Sequence, residues 1–352
     1  MKVSKEHFSI LDISKFIAAL FVVFLHSSAL SSYSVTLNWY TTELITRLAV
    51  PFFFVTSGFL SYNKLINNNN NNASFLNIIK RVFYLYSFWS IIYLPIKVFV
   101  WKVDGLNNIE IITRYIHSFI FSGGDSHLWY LTALMLAYII AFIWLKKYSL
   151  NSLLVFSLLL YVIGSLFTSY NNFIIKNEIL NNVYTIYTDV FIQFRNGIFF
   201  GLFFVSIGLK FKELYKKGSL RKTSNYLILI SFIIYILELI FITKTEIHAI
   251  SYTDMRLSLI LIMPLLFNKI LEIKYEFKKV DNLLLRNIST IIFTSHILVY
   301  MVLKQMIIRT NLTVLYSNSL LFFALVSIGC ILLSILIIKL SNKRFKWLKI
   351  SF

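Results

Sequence analysis

A lysine and a histidine stand eleven residues apart inside the first apolar stretch, which reads Leu11-Asp12-Ile13-Ser14-Lys15 and reaches His26 after ten further residues. A helix turns about 100° and rises about 1.5 Å per residue. Eleven steps therefore return to within about 20° of the starting direction, roughly 16 Å further along the axis. Lys15 and His26 share a face, and Asp12 lies one turn before Lys15, where it can pair with it. Ionisable groups inside an apolar helix are functional-site candidates by default. A cation at one level and an imidazole deeper on the same stripe fit an anion held at one end and a proton removed at the other. His26 is the candidate general base, since a neutral imidazole titrates near physiological pH. A buried histidine bonded to a neighbouring helix is the alternative reading.

Other candidates are scattered along the chain. Arg81, early in the third apolar run, matches Lys15 in depth. It either completes a phosphate cradle or snorkels to the interface. His127 and Trp129, in His127-Leu128-Trp129-Tyr130-Leu131, open the fourth run and read as site residues or as an aromatic belt. His296 falls near the middle of the ninth run and divides between packing and a site. Arg195, in Gln193-Phe194-Arg195-Asn196-Gly197, is expected about two turns inside the sixth run and lining a cavity. Glu238 lies toward the outer end of the seventh. His7, His117 and His248 read as interface or loop residues. No metal site is expected, because the six histidines are dispersed and Cys330 is the one cysteine. Phosphate-loop, dinucleotide-loop, zinc-protease and nucleophile-elbow motifs are missing.

The elements that must position these residues are membrane helices. Of 352 residues, 58% are hydrophobic and 14% charged, against about 45–50% and 25% in soluble domains. The apolar residues form continuous runs near the roughly 17–25 residues that span a bilayer. Ten are expected, at about 8–30, 44–62, 75–100, 128–145, 150–168, 189–209, 226–243, 251–268, 287–307 and 314–339. The fold class is an all-α, polytopic membrane helical bundle. The chain reads as one transmembrane domain over 1–352, with an Asn-rich polar linker over 63–74.

Lysine and arginine alternate between loops. Lys2 and Lys5, then Lys64, Lys80 and Arg81, then Lys146 and Lys147, then the cluster from Lys210 to Lys222, then Lys269 to Arg286, then Lys339 to Lys349 all fall on one side. The other side carries few. The positive-inside rule places the rich side, and both termini, in the cytoplasm. The net charge of +19 is then accounted for by loops facing anionic lipid rather than by nucleic acid, for which no basic-aromatic module is present.

The residues around Lys15 and His26 resemble the first span of the acyltransferase 3 family, the bacterial membrane O-acyltransferases of surface carbohydrates. That span reads Leu-Asp-x-x-Arg followed ten residues later by His. The resemblance continues in order through Pro51-Phe52-Phe53-Phe54-Val55-Thr56-Ser57-Gly58-Phe59, Arg81…Tyr86…Trp89, His127-Leu128-Trp129-Tyr130-Leu131, Gly201…Gly208 and Ser289…His296. Lysine stands at 15 where the family has arginine, which keeps the charge and loses the planar fork. The resemblance implies transfer of an acyl group, acetyl first, from cytoplasmic acetyl-CoA or another acyl-CoA to a hydroxyl of a glycan or lipid-linked sugar. No permanently bound cofactor is implied, and the location is the bacterial cytoplasmic membrane. It makes His26 the base, Asp12 the residue that holds Lys15, and Lys15 with Arg81 the donor site. His127, Trp129, Arg195 and His296 remain acceptor or cavity residues. Ten spans with intramembrane charge also fit a transporter or flippase, although no paired halves or interrupted helices are evident. The residue pattern sets no oligomeric state.

The charge asymmetry generates a direct test. Single cysteines placed near Asn69 and Lys217 are expected to be protected from an impermeant reagent in sealed cells, and cysteines near Asn107 and Asn177 to react. Labelling at Asn69 or Lys217 would reverse the orientation.

Overall fold

The computed structural model describes residues 8–66, 71–121, 123, 127–245, 253–273 and 282–352. His7, Ser126, His248 and Asn69 lie outside them, as do Lys2, Lys5, Lys274, Lys278 and Lys279. The described residues are helical, without strands. In order they form α1 (Ser9–Ser27), α2 (Val35–Leu44), α3 (Ala49–Ile66), α4 (Asn71–Val103), α5 (Asn108–Phe121), α6 (Trp129–Leu145), α7 (Leu150–Leu166), α8 (Asn171–Ile174), α9 (Glu178–Phe191), α10 (Leu202–Lys216), α11 (Asn225–Thr245), α12 (Leu259–Glu272), α13 (Asn282–Arg309), α14 (Val314–Ser317) and α15 (Ser319–Lys343).

Among the described residues, six helical stretches are long and apolar enough to cross a membrane: 9–27, 35–66, 72–103, 225–244, 282–309 and 319–343. Shorter apolar helices add to them at Trp129–Leu145 and Leu150–Leu166. Every apolar run read from the sequence contains a helix, so the chain is a polytopic helical membrane protein. Side chains define several starts. Ser34, Ser149, Asn177 and Asn318 each accept a backbone N–H from the first turn of α2, α7, α9 and α15.

Several boundaries move. The Asn-rich linker shortens, because 63–66 belong to α3 and 71–74 to α4. The sixth run is broken: α9 ends at Phe191, residues 192–196 are not helical, and a π-helical turn over Gly197–Gly201 leads into α10. Arg195 therefore precedes its helix instead of lying two turns inside it. The eighth run begins with a non-helical segment, 253–258, buried ahead of α12.

The chain divides into two compact units. One comprises residues 1–53 and 265–350, and the other 54–264. In the first unit α1 packs along α13. Ser9 meets Asn282, Asp12 meets Arg286 and His26 meets His296. Both series ascend, so the two helices run parallel. At the far end, the hydroxyl of Ser319 bonds the hydroxyl of Ser32 and the carbonyl of Ala29, so α15 runs back along α1.

In the second unit α3 and α10 cross backbone to backbone. A Cβ on Gly58 would collide with the Val205 carbonyl, and one on Gly208 with the Val55 carbonyl. Each glycine faces the carbonyl three residues before the other, the small-residue crossing that membrane helices use where no hydrophobic force separates them from lipid. Ser57 sits beside this crossing. Its hydroxyl bonds that of Tyr130 at 2.9 Å, and its carbonyl accepts from Tyr138 at 3.0 Å. The Ser57-Gly58 motif is thus a packing device. Gly58→Leu and Gly208→Leu are each expected to destabilise the protein by about 1–3 kcal/mol or more through overpacking, read as a lower unfolding midpoint in detergent. Wild-type stability in both would contradict the crossing.

Candidate functional site

The α1–α13 seam forms because both helices present small and apolar residues to each other. Leu11, Ala18, Ala19, Val22 and Val23 are buried on α1, and Ile288, Ser289, Ile291 and Ile292 on α13. The steps from Lys15 to Ala19, Val22 and His26 follow the helical period. The stripe predicted to do chemistry therefore runs along the buried face of α1.

At one end of the seam the imidazoles of His26 and His296 lie side by side, with ring centroids 5.0 Å apart. His296 is 1% exposed. Its Nδ1 lies 2.8 Å from the Phe293 carbonyl and 3.2 Å from that of Ile292. Carbonyl oxygens only accept, so Nδ1 carries the hydrogen. In the neutral ring Nε2 is then the lone-pair nitrogen. A histidine in the ninth run is thereby brought to the predicted base by the fold.

At the other end the Arg286 guanidinium grips Asp12 bidentately, with Nε to Oδ1 at 2.9 Å and Nη2 to Oδ2 at 3.0 Å. One turn earlier, Asn282 donates to Ser9 at 2.9 Å. Arg286 had read as one of several loop cations after the eighth run. A usable signal was its place ten residues before His296, much as Lys15 precedes His26. Asp12 thus has a cationic partner from another helix, in addition to the neighbouring turn that holds Lys15.

Arg81 belongs to the second unit, exposed on α4. His127, also in that unit, is 3% exposed and packs edge-on against Tyr93, with centroids 5.0 Å apart. Arg195 comes together with Trp129: its guanidinium lies 4.5 Å from the ring centroid and pairs with Asp254. Asn196 accepts the N–H groups of Ile198 and Phe199 and so caps the π-helical turn. These contacts tie the break before α10 to the buried segment 253–258.

That segment is held at every step. Met255 N–H donates to Ser169 at 3.1 Å, and the Arg256 carbonyl accepts from Tyr161 at 2.6 Å. Arg256 is fully buried, with its guanidinium 4.1 Å from the Tyr235 ring centroid and bonded to its hydroxyl. Glu238 accepts from the N–H groups of Leu257 and Ser258, at 2.6 and 2.7 Å, and from the Tyr170 hydroxyl. A carboxylate on the N–H groups entering α12 satisfies donors that the helix itself leaves open. Glu238 therefore bonds this non-helical backbone directly, and Arg195 joins it to the break before α10 through the Asp254 side chain.

Among the described residues no group of three or more His, Cys, Asp or Glu side chains is arranged to hold a metal ion. The chemistry available on the α1–α13 seam is proton transfer at the histidine end and anion binding at the cationic end.

An acyltransferase domain family model matches residues 8–339. An amino-acid racemase of Enterococcus faecalis is 34% identical over 58% of this chain and 28% of its own length. Another amino-acid racemase of that species is 27% identical over 95% of this chain and 46% of its own length. A serine/alanine racemase of Enterococcus gallinarum is 26% identical over 73% of this chain and 36% of its own length. The chain thus spans less than half the length of these curated relatives. No solved structure matches. With the family model covering both units and the whole α1–α13 seam, the chain belongs to the acyltransferase 3 family of membrane acyltransferases.

Proposed function

We propose that this membrane acyltransferase moves an acyl group, acetyl in the first instance, from acyl-CoA to a hydroxyl of a cell-surface glycan or lipid-linked sugar. The protein would sit in the bacterial cytoplasmic membrane with both termini inside. The observation that carries this reading is the α1–α13 seam, with His26 and His296 in contact at one end and Asp12, Lys15 and Arg286 at the other. The donor approaches the cationic end from the cytoplasm, and the acceptor meets its thioester near His26. His26 takes the hydroxyl proton as the oxygen attacks the thioester carbonyl. The C–S bond then breaks, and the proton returns to the departing thiolate. A thioester is already reactive, so positioning and one base suffice. His296, its Nδ1–H held by a carbonyl, packs its ring against the neighbouring imidazole and so helps to position it.

A second reading follows from the relatives. Their racemase names favour an amino acid as the small molecule handled, either as cargo of a transporter or as the acceptor in place of a sugar. Reconstituted vesicles supplied with labelled acetyl-CoA and, separately, labelled serine distinguish the two. Acetyl transfer without serine uptake supports the acyltransferase reading, and uptake without transfer replaces it.

For the mechanism, His26→Ala is expected to stay folded, bind donor and lose turnover by about 10²–10⁴-fold, the usual contribution of a positioned base. His127→Ala should retain more activity. Near-normal turnover in His26→Ala would remove the base from the mechanism. For the donor site, Lys15→Ala and Arg81→Ala are each expected to weaken acyl-CoA binding roughly tenfold or more, since a charge-assisted bond contributes about 1.5–3 kcal/mol. Lys15→Arg should be tolerated. Unchanged donor affinity in both folded alanine variants would assign the phosphates elsewhere.

A further inference from the structure

The cationic end of the α1–α13 seam is built asymmetrically. The Asp12 carboxylate is 1% exposed, whereas the Arg286 side chain keeps a third of its surface open, at 33%. A guanidinium carries five N–H donors in one rigid plane. Asp12 takes two of them, one from Nε and one from Nη2. The edge formed by Nη1 and the second Nη2 hydrogen faces away from that carboxylate. Among the described residues, Asp12 is the side chain that pairs with Arg286. Lys15 follows Asp12 by three residues, one turn, on the same helix. Among the described residues, Asp12 stands as one carboxylate against the two cations Lys15 and Arg286 at this level.

Two features distinguish this from a plain structural ion pair. A pair that only ties two helices gains nothing from an open donor edge, while an anion site requires one. The carboxylate also fixes the plane of the fork in advance, so less side-chain freedom is lost when a ligand arrives. The open edge matches the oxygen spacing of a phosphate, to which arginine binds bidentately and lysine as a point charge.

We infer that Arg286 is a phosphate-binding residue, that Asp12 is its positioning residue, and that with Lys15 they form a phosphate cradle on the α1–α13 seam. The ligand chemistry is a phosphate monoester or diphosphate, as carried by a nucleotide thioester donor. This rests on the acyl-CoA reading, and it adds to the cations already placed at the donor site one from α13, the helix packed along α1. Arginine at 286 also supplies the planar fork that lysine at 15 lacks.

The test uses the full chain in nanodiscs of phosphatidylcholine, with binding measured for CoA, for phosphate-free pantetheine and for inorganic pyrophosphate. Arg286→Gln should weaken CoA and pyrophosphate binding at least tenfold and leave pantetheine binding unchanged. Arg286→Lys should fall between the two, and Asp12→Asn should weaken CoA several-fold through the loosened fork. A structural role would not separate CoA from pantetheine. If Arg286→Gln does not fold, the double variant Asp12→Leu/Arg286→Leu removes both charges without leaving either buried alone, and the same selective loss is expected of it. Wild-type CoA affinity in a folded Arg286 variant overturns the cradle while leaving the acyl-CoA reading intact, as does an equal loss of CoA and pantetheine. If the wild-type protein binds no CoA, the acyl-CoA reading fails, and pyrophosphate decides the cradle. Arg286-dependent pyrophosphate binding upholds it, and none overturns it. Arg286-dependent enrichment of phosphatidylglycerol around the protein in mixed-lipid nanodiscs, with no effect on CoA, assigns the phosphate to a lipid headgroup rather than to the donor.

Discussion

Charge is hard to place among apolar helices, and that constraint organises this protein. An ion removed from water loses several kcal/mol of solvation that only close, well-directed partners can offset. The described interior answers with specific pairings. Asp12 is clasped by Arg286, Asp254 by Arg195, and the Glu238 carboxylate by two backbone N–H groups and a tyrosine hydroxyl. Arg195 and Arg256 additionally lie against the faces of Trp129 and Tyr235, where the ring quadrupole attracts a cation. Removing one member of such a pair leaves the other buried alone, which typically costs about 3–5 kcal/mol.

The same constraint governs backbone. Within hydrocarbon, non-helical segments persist only where protein satisfies their N–H and C=O groups. The break at 192–196 and the segment 253–258 both meet that requirement. In the first, the Ile192, Gln193 and Asn196 N–H groups bond the Thr188, Phe191 and Phe194 carbonyls, and Ser169, Tyr161 and Glu238 hold the other. Arg195–Asp254 joins the two. These polar side chains would read as site residues by type alone, yet their partners give them a structural task.

The α1–α13 seam carries an ion pair at one end and a histidine pair at the other. Ala18 and Ala19 are small enough to let the helices approach, and the parallel alignment sets Asp12 beside Arg286 at one end and His26 beside His296 at the other. His296 is nearly sealed from solvent, with one nitrogen fixed by a main-chain carbonyl. That contact fixes the Nδ1 hydrogen through a main-chain carbonyl, while Asp12 and Arg286 form an ion pair at the other end of the seam.

Composition and periodicity alone were enough to determine the helical membrane class and the positions of the apolar helices, because hydrocarbon admits only continuous apolar runs with internally bonded backbone. Helical geometry placed Asp12, Lys15 and His26 on one face, because residues three and eleven apart return to the same side of one rigid rod. The family was legible in the order of short motifs along the chain. What only the tertiary structure decided is which distant residues complete that face. Arg286 and His296 lie more than 250 positions away from Asp12 and His26, and no local period links two separate helices. It also decided which partners Arg195 and Glu238 meet, Asp254 for one and the Leu257 and Ser258 N–H groups for the other, since a charge's role depends on the partner it meets. Gly58 and Gly208 were visible as motif letters, but their meaning is the crossing itself, a distance between two backbones that neither helix encodes alone.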